Sequence, residues 1–178
     1  MKLKAISSSP QWNETRISSS LGIEYPIIQG PLGGLSTQRL TAAVSNFGGL
    51  GSFGAHGLSP SAIKDVIAEV RALTSKPFAI DLWVSMEDEG AHTSGSEAFA
   101  RSLTPLAGHI LALGGTLPTH KPYVPIKFEE QVRVLLDAKV PVFSFIYGVP
   151  SKEILDECRA QGILTIGTAT TPDEANEI

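Results

Sequence analysis

The sequence predicts an α/β protein built on a parallel sheet, and three observations predict it. Short apolar runs recur along the chain and are near-continuous rather than alternating, as strands covered on both faces should be. Amphipathic helical patterns separate these runs, most of them with a recognisable cap. The resulting order is strand and helix in alternation, with one long interruption, and that order requires parallel strands joined by crossover helices.

The first run, Ile27–Gln29, breaks off at "GPLGGLS", where Gly30, Pro31, Gly33 and Gly34 strip the chain of side chains. Ser36 is then expected to cap a helix with Leu40, Val44 and Phe47 on one face and Gly48 as its stop. Leu50–Gly54 is the second run. Ser59 before Pro60 opens the next helix, which carries Ile63, Val66, Ile67 and Val70 as a stripe. Phe78–Val84 is the third run. Residues 86–124, rich in glycine and proline around Phe99, Leu103, Leu106 and Ile110, read as an insert with a short helix, long enough to cover a site.

Phe128, Val132, Leu135 and Leu136 mark another helix, followed by the run Val140–Tyr147. Ser151 caps a helix carrying Ile154, Leu155 and Cys158, which Gly162 ends before the run Ile163–Gly167. Thr171, Pro172 and Glu174 form a capping box with proline at the first helical position. The helix they open reaches Ile178 after about two turns, so the chain reads as cut short. Residues 1–11 read as an N-terminal extension, expected to be flexible.

Composition limits the function. Hydrophobic residues make up 42% of the 178 and charged residues 18%, ordinary values for a buried core. A net charge of −4 offers no electrostatic reason to bind nucleic acid or an anionic membrane. One cysteine, Cys158, excludes an intrachain disulfide and a cysteine metal cluster; its place on an apolar stripe suits a small buried hydrophobe. No apolar run reaches the ~18 residues of a membrane span. The N-terminus lacks the apolar core of a secretory signal. A soluble, cytoplasmic protein is the expectation.

"GLGSFG" at 49–54 has the spacing of a dinucleotide fingerprint. That reading needs a strand before the motif and a helix directly after it, and these are lacking here. Tight strand entry and close packing explain the glycines better. His56, His92, His109 and His120 have no ligand-like spacing and are expected in solvent-facing loops, with His56 and His120 keeping some claim to a site.

Parallel strands aim all their C-terminal ends at one face, where ligands bind. The residues there are Gly30–Gly33, Ala55–His56, Asp81–Trp83, Tyr147–Gly148 and Thr168–Thr170. Asp81 stands out as a carboxylate inside "FAIDLWV", which requires either a structural partner or a ligand.

From "RISSSLGIEYPIIQGPLGGLSTQRLTAAVSNFGGLGSFGA" through "LTSKPFAIDLWV", "VPVFSFIYGVPSKEILDECRAQGI" and "IGTATTPDEA", the chain resembles the nitronate monooxygenase family, once called 2-nitropropane dioxygenases. The resemblance covers residues 12–178 and is weakest in the insert. It implies a (β/α)8 TIM barrel, present here as about its first five βα units, that binds FMN and oxidises alkyl nitronates with dioxygen and no metal. Gly30, Pro31, Leu32 and Gly33 would bring main chain against the flavin, and position 81 corresponds to a family asparagine near the flavin's pyrimidine edge. Asp81 departs from that pattern. An ionised aspartate only accepts hydrogen bonds, so either it is protonated or flavin binding is altered.

In the family, the base histidine and the loops that hold the FMN phosphate follow the segment matching 163–178, so the resemblance names no catalytic residue here. The implied partners are a small-molecule nitronate and O2, with no nucleic acid and no membrane. Self-association through open sheet edges is expected. Two alternatives stand beside this reading: a non-catalytic product, or another FMN barrel such as an enoyl reductase.

Overall fold

Four of the five apolar runs form a parallel sheet in the computed structural model, which describes residues 11–84, 95–121 and 126–177. The strands are β1 (Gly51–Gly54), β2 (Phe78–Trp83), β3 (Val142–Ile146) and β4 (Leu164–Gly167), hydrogen-bonded in the order β1-β2-β3-β4. The helices are α1 (Arg16–Leu21), α2 (Gln38–Phe47), α3 (Pro60–Leu73), α4 (Ser96–Ala112), α5 (Phe128–Ala138), α6 (Lys152–Gln161) and α7 (Pro172–Glu177). The chain divides into two compact units, Met1–Ser85 with Ile126–Ile178, and Met86–Pro125. Residues 1–10 of the expected extension lie outside the described residues.

Side chains alternate between the two faces of each strand, and the faces have different chemistry. Phe53, Phe78, Ile80, Leu82, Phe143 and Phe145 pack against the stripes of α3 and α5, including Ile63, Val70, Val132 and Leu135. Ser59 accepts a hydrogen bond from the Ala62 N–H and Ser151 one from the Ile154 N–H, so both expected caps form. Cys158 is buried in the same core. The opposite face holds a smaller apolar cluster of Leu21, Ile23, Leu50, Ala79 and Val142. Further along the strands that face turns polar, with Asp81 and Ser144.

The first expected strand, Ile27–Gln29, does not form. Only one parallel bridge, Ile28 to Leu50, is present. Gly30 and Pro31 turn the chain away, and proline has no N–H to extend a ladder. The Gln29 side chain takes over instead: its amide nitrogen donates to the Ser52 carbonyl at 2.9 Å, and its amide oxygen accepts from the Ser52 N–H at 3.3 Å. One side-chain amide thus mimics the missing strand.

The α2 expectation also needs correction. The cap is Thr37, whose hydroxyl accepts from the Leu40 N–H, rather than Ser36. The buried face carries Thr41, Ala42 and Ser45, while Leu40 is 44% and Phe47 72% exposed. The cause lies across the interface. A Cβ at Gly51 would overlap the Thr41 carbonyl oxygen, so helix and strand touch main chain to main chain and only small side chains fit between. The Ser45 hydroxyl accepts from the Gly51 N–H at 3.2 Å, and the Thr41 hydroxyl donates to the Ser52 carbonyl at 3.3 Å. Gly48 ends the helix as expected, at φ 107°.

Two further expectations change. β4 is an edge strand whose residues are exposed or half-buried, so it is not covered on both faces. In the second unit, α4 runs for 17 residues rather than as a short helix, and none of them is buried.

The Gly51 contact predicts a pair of outcomes. Gly51→Ala should cost about 3 kcal/mol or more, because backbone on both sides must shift. Gly30→Ala, where a Cβ meets nothing within 4 Å, should change stability by no more than about 0.5 kcal/mol. Urea midpoints of the two variants measure both, and equal midpoints would show that Gly51 does not set the helix–strand distance.

Candidate functional site

The parallel sheet brings the C-terminal ends of its strands to one mouth, and the glycine segment folds over it. Leu32 N–H donates to the Gly30 carbonyl at 3.0 Å and Ser36 N–H to the Leu32 carbonyl at 2.7 Å, which closes the segment into a compact loop. Its main chain lies across β1: a Cβ on Gly54 would sit 2.8 Å from the Pro31 carbonyl oxygen and 3.0 Å from the Gly33 nitrogen. Only glycine permits that approach. Pro31 is half-buried and Leu32 exposed.

Register aligns the polar residues beneath the loop. Gly54 pairs with Asp81, and Asp81 with Ser144, so the three stand side by side on adjacent strands. Asp81 is only 4% exposed, and its Oδ1 accepts a 2.8 Å hydrogen bond from the Ser144 hydroxyl. Burial pushes the carboxyl up to about 6, and the Ser144 bond only partly opposes it. A carboxyl so placed changes charge close to neutral pH.

Two or three residues further along the strand ends stands a group of rings. His56 stacks on Trp83 with centroids 3.6 Å apart and planes 9° from parallel. Trp83 meets Tyr147 edge-on, at 5.0 Å and 88°. His56 also presses on the loop, because a Cβ on Gly33 would run into its ring. The histidine expected in a solvent-facing loop is therefore half-buried between Gly33 and Trp83; its Nδ1 is buried without a partner, and burial lowers its pKa. The available signal was phase: the Ala55 N–H bonds the Asp81 carbonyl, so His56 continues the inward row level with Trp83. Tyr147, at φ 62°, holds a backbone conformation that non-glycine residues rarely adopt.

His109 is exposed on α4 rather than in a loop, and the half-buried His120 meets Phe99 edge-on at 5.6 Å, both within the second unit. His92 lies outside the described residues. Among the described residues, no three His, Cys, Asp or Glu side chains gather to hold a metal ion, and no helix is long and apolar enough to cross a membrane.

Residues 14–178 match the family model described as "Nitronate monooxygenase". The chain belongs to the nitronate monooxygenase family. A "Probable nitronate monooxygenase" of Staphylococcus aureus (strain Newman) is 35% identical over 168 residues, covering 92% of this chain and 45% of that relative. One from Staphylococcus haemolyticus (strain JCSC1435) gives the same identity and coverage. The structure of nitroalkane oxidase from Streptomyces ansochromogenes is similar with a TM-score of 0.73 and 34% identity, over 90% of this chain and 44% of that one. FabK from Thermotoga maritima, as its M276A mutant, is similar with a TM-score of 0.67 at 25% identity, over 92% and 42% of the two chains. The chain thus spans under half the length of these relatives. Its sequential parallel sheet agrees with a portion of a TIM-type barrel.

The Asp81 carboxyl predicts a pH dependence with a definite sign. Its folded-state pKa lies above the unfolded value, so between about pH 4 and pH 6 the native state binds more protons than the unfolded state. Stability should fall as pH rises through that window, by on the order of 3 kcal/mol, and the loss should persist above it. Asp81→Asn should flatten this slope and raise the urea midpoint at pH 8. Parallel pH profiles for the two proteins would show that the carboxyl is not desolvated.

Proposed function

We propose that this chain forms the cofactor-facing part of a flavoenzyme that oxidises alkyl nitronates with O2, and that its cofactor is FMN. The observation that carries the reading is the glycine segment Gly30–Gly33 at the sheet mouth, with open space where a Cβ on Gly30 would stand, together with the buried Asp81. A flat heteroaromatic ring is bound well where backbone amides and carbonyls can reach its edge unobstructed. Gly30 provides such a surface, since the space where its Cβ would stand is open. The residues fit the cofactor that the family resemblance implies.

Gly30, Pro31, Leu32 and Gly33 would hold the ring from the loop side, and Asp81 would accept a hydrogen bond from a ring N–H. FMN, when bound, supplies the electron acceptor for the nitronate and the donor to O2. The chain's own residues set the conditions. Ser144 fixes the Asp81 carboxyl by its 2.8 Å hydrogen bond, and His56 and Trp83 close one side of the mouth with apolar ring faces. Above about pH 6 the carboxylate is an acceptor only; below it, the acid also donates. Negative charge at this point disfavours a ring that becomes anionic on reduction.

Two measurements test the reading. With this chain joined to the later barrel units of a relative, FMN fluorescence should report binding that weakens from pH 5 to pH 8, and Asp81→Asn should recover about tenfold in affinity at pH 8. With FMN and ethyl nitronate present, oxygen uptake should depend on that joined protein. Flavin that separates from the protein at every pH, with no nitronate-dependent oxygen uptake, would overturn the proposal.

A further inference from the structure

We infer that Asp81 is a redox-linked proton site, whose carboxylate takes up a proton when the flavin held at this mouth is reduced and releases it on reoxidation; the inference rests on the flavin reading of the same site. Among the residues of β1–β4, Asp81 is the only ionisable side chain, and it is buried. The elements packed around its face bring it no cation. Residues 27–36 contain no ionisable side chain, and α2 turns Thr41, Ala42 and Ser45 to the sheet. Leu21 and Ile23 lie on the same face, and the paired strand positions are Gly54 and Ser144. His56 and Tyr147 stand at the strand ends of the mouth, and burial favours the neutral form of His56.

The contacts of the carboxyl leave one oxygen for a proton. Oδ1 accepts the 2.8 Å hydrogen bond from the Ser144 hydroxyl, and Oδ2 has no hydrogen-bond partner among the described residues. The carboxylate is thus held by one hydroxyl and no counter-charge, and burial raises its pKa to about 6. Electrons from an alkyl nitronate add negative charge to the bound flavin, and a like charge close by disfavours the ionised carboxyl. For two electrons, one solvent proton goes to the flavin and a second converts the Asp81 carboxylate to the acid. The nitronate is oxidised, the flavin is reduced, and flavin and Asp81 together keep the net charge they had. Linkage makes the effect reciprocal: the charge that opposes reduction is the charge that reduction removes. As the acid, Asp81 also gains an O–H to donate. Below about pH 6 the carboxyl already carries its proton, so the extra uptake belongs to the range above it.

The joined protein carrying FMN is reduced with dithionite under argon against a reference dye, at a series of pH values. Above about pH 6 its reduction equilibrium should fall about a hundredfold per pH unit, since two protons enter with two electrons, and that of Asp81→Asn about tenfold. Infrared difference spectra, reduced minus oxidised, should show a protonated carboxyl gained in the parent and not in Asp81→Asn. Ser144→Ala removes the hydrogen bond that opposes burial, so the steep range should begin at a higher pH. Equal slopes in the parent and Asp81→Asn, or no carboxyl gained on reduction, overturns the inference and leaves the flavin reading standing. FMN that binds neither protein overturns both.

Discussion

The arrangement depends on main chain meeting main chain along β1. Gly51 lies against the Thr41 carbonyl of α2, and Gly54 lies under the Pro31 carbonyl and the Gly33 nitrogen. An ordinary side chain at either position would push the helix or the loop outward. The hydrogen bonds that replace a strand here then lose their reach: Gln29 to both backbone groups of Ser52, Ser45 to Gly51, and Thr41 to Ser52. Position and polarity follow together. Close approach forbids large apolar side chains in the interface, so the α2 face that packs is small and partly polar, and its hydroxyls are satisfied by the backbone they touch.

The same sheet separates stability from chemistry by the parity of its residues. One set of alternate positions, Phe78, Ile80 and Leu82 on β2 with Phe143 and Phe145 on β3, joins the helices in a dry core. The intervening positions, Asp81 and Trp83, with Ser144 on β3, turn to the other face. A carboxyl in the middle of a strand is costly, and the same desolvation raises its pKa. The core on the opposite face is what tolerates it. Groups at the mouth can therefore be strained or desolvated without weakening the layer that holds the strands together.

Membership of the nitronate monooxygenase family and the likeness to nitroalkane oxidase run through the same βα units that build this mouth. The bare glycine loop, the buried carboxyl and the ring wall are this chain's own arrangement of that surface. Each of the three is set by contacts between segments far apart in sequence: Gly33 with His56, Asp81 with Ser144, and Trp83 with Tyr147. The site is thus a property of strand register rather than of any one motif.

By itself the sequence determined what local physics controls. Helix starts at Ser59–Pro60 and Ser151, stops at Gly48 and Gly162, and the buried stripes of α3 and α5 all follow from capping geometry and 3.6-residue periodicity. The strand cores and the oddity of Asp81 were legible because an apolar run with one carboxylate needs no partner to be noticed. Only the tertiary structure decided the rest. The six-residue helix α1, held by the Thr15 and Ser18 capping box, is too short to announce itself by periodicity. Gln29 ends a run that resembles a strand in composition, yet whether it pairs depends on the turn at Pro31 and on Ser52, 23 residues away. The outward Phe47, the stacking of His56 on Trp83 and the left-handed Tyr147 are likewise fixed by neighbours that chain order does not reveal. Local sequence sets which elements form, whereas the distance between their backbones sets which side chains meet.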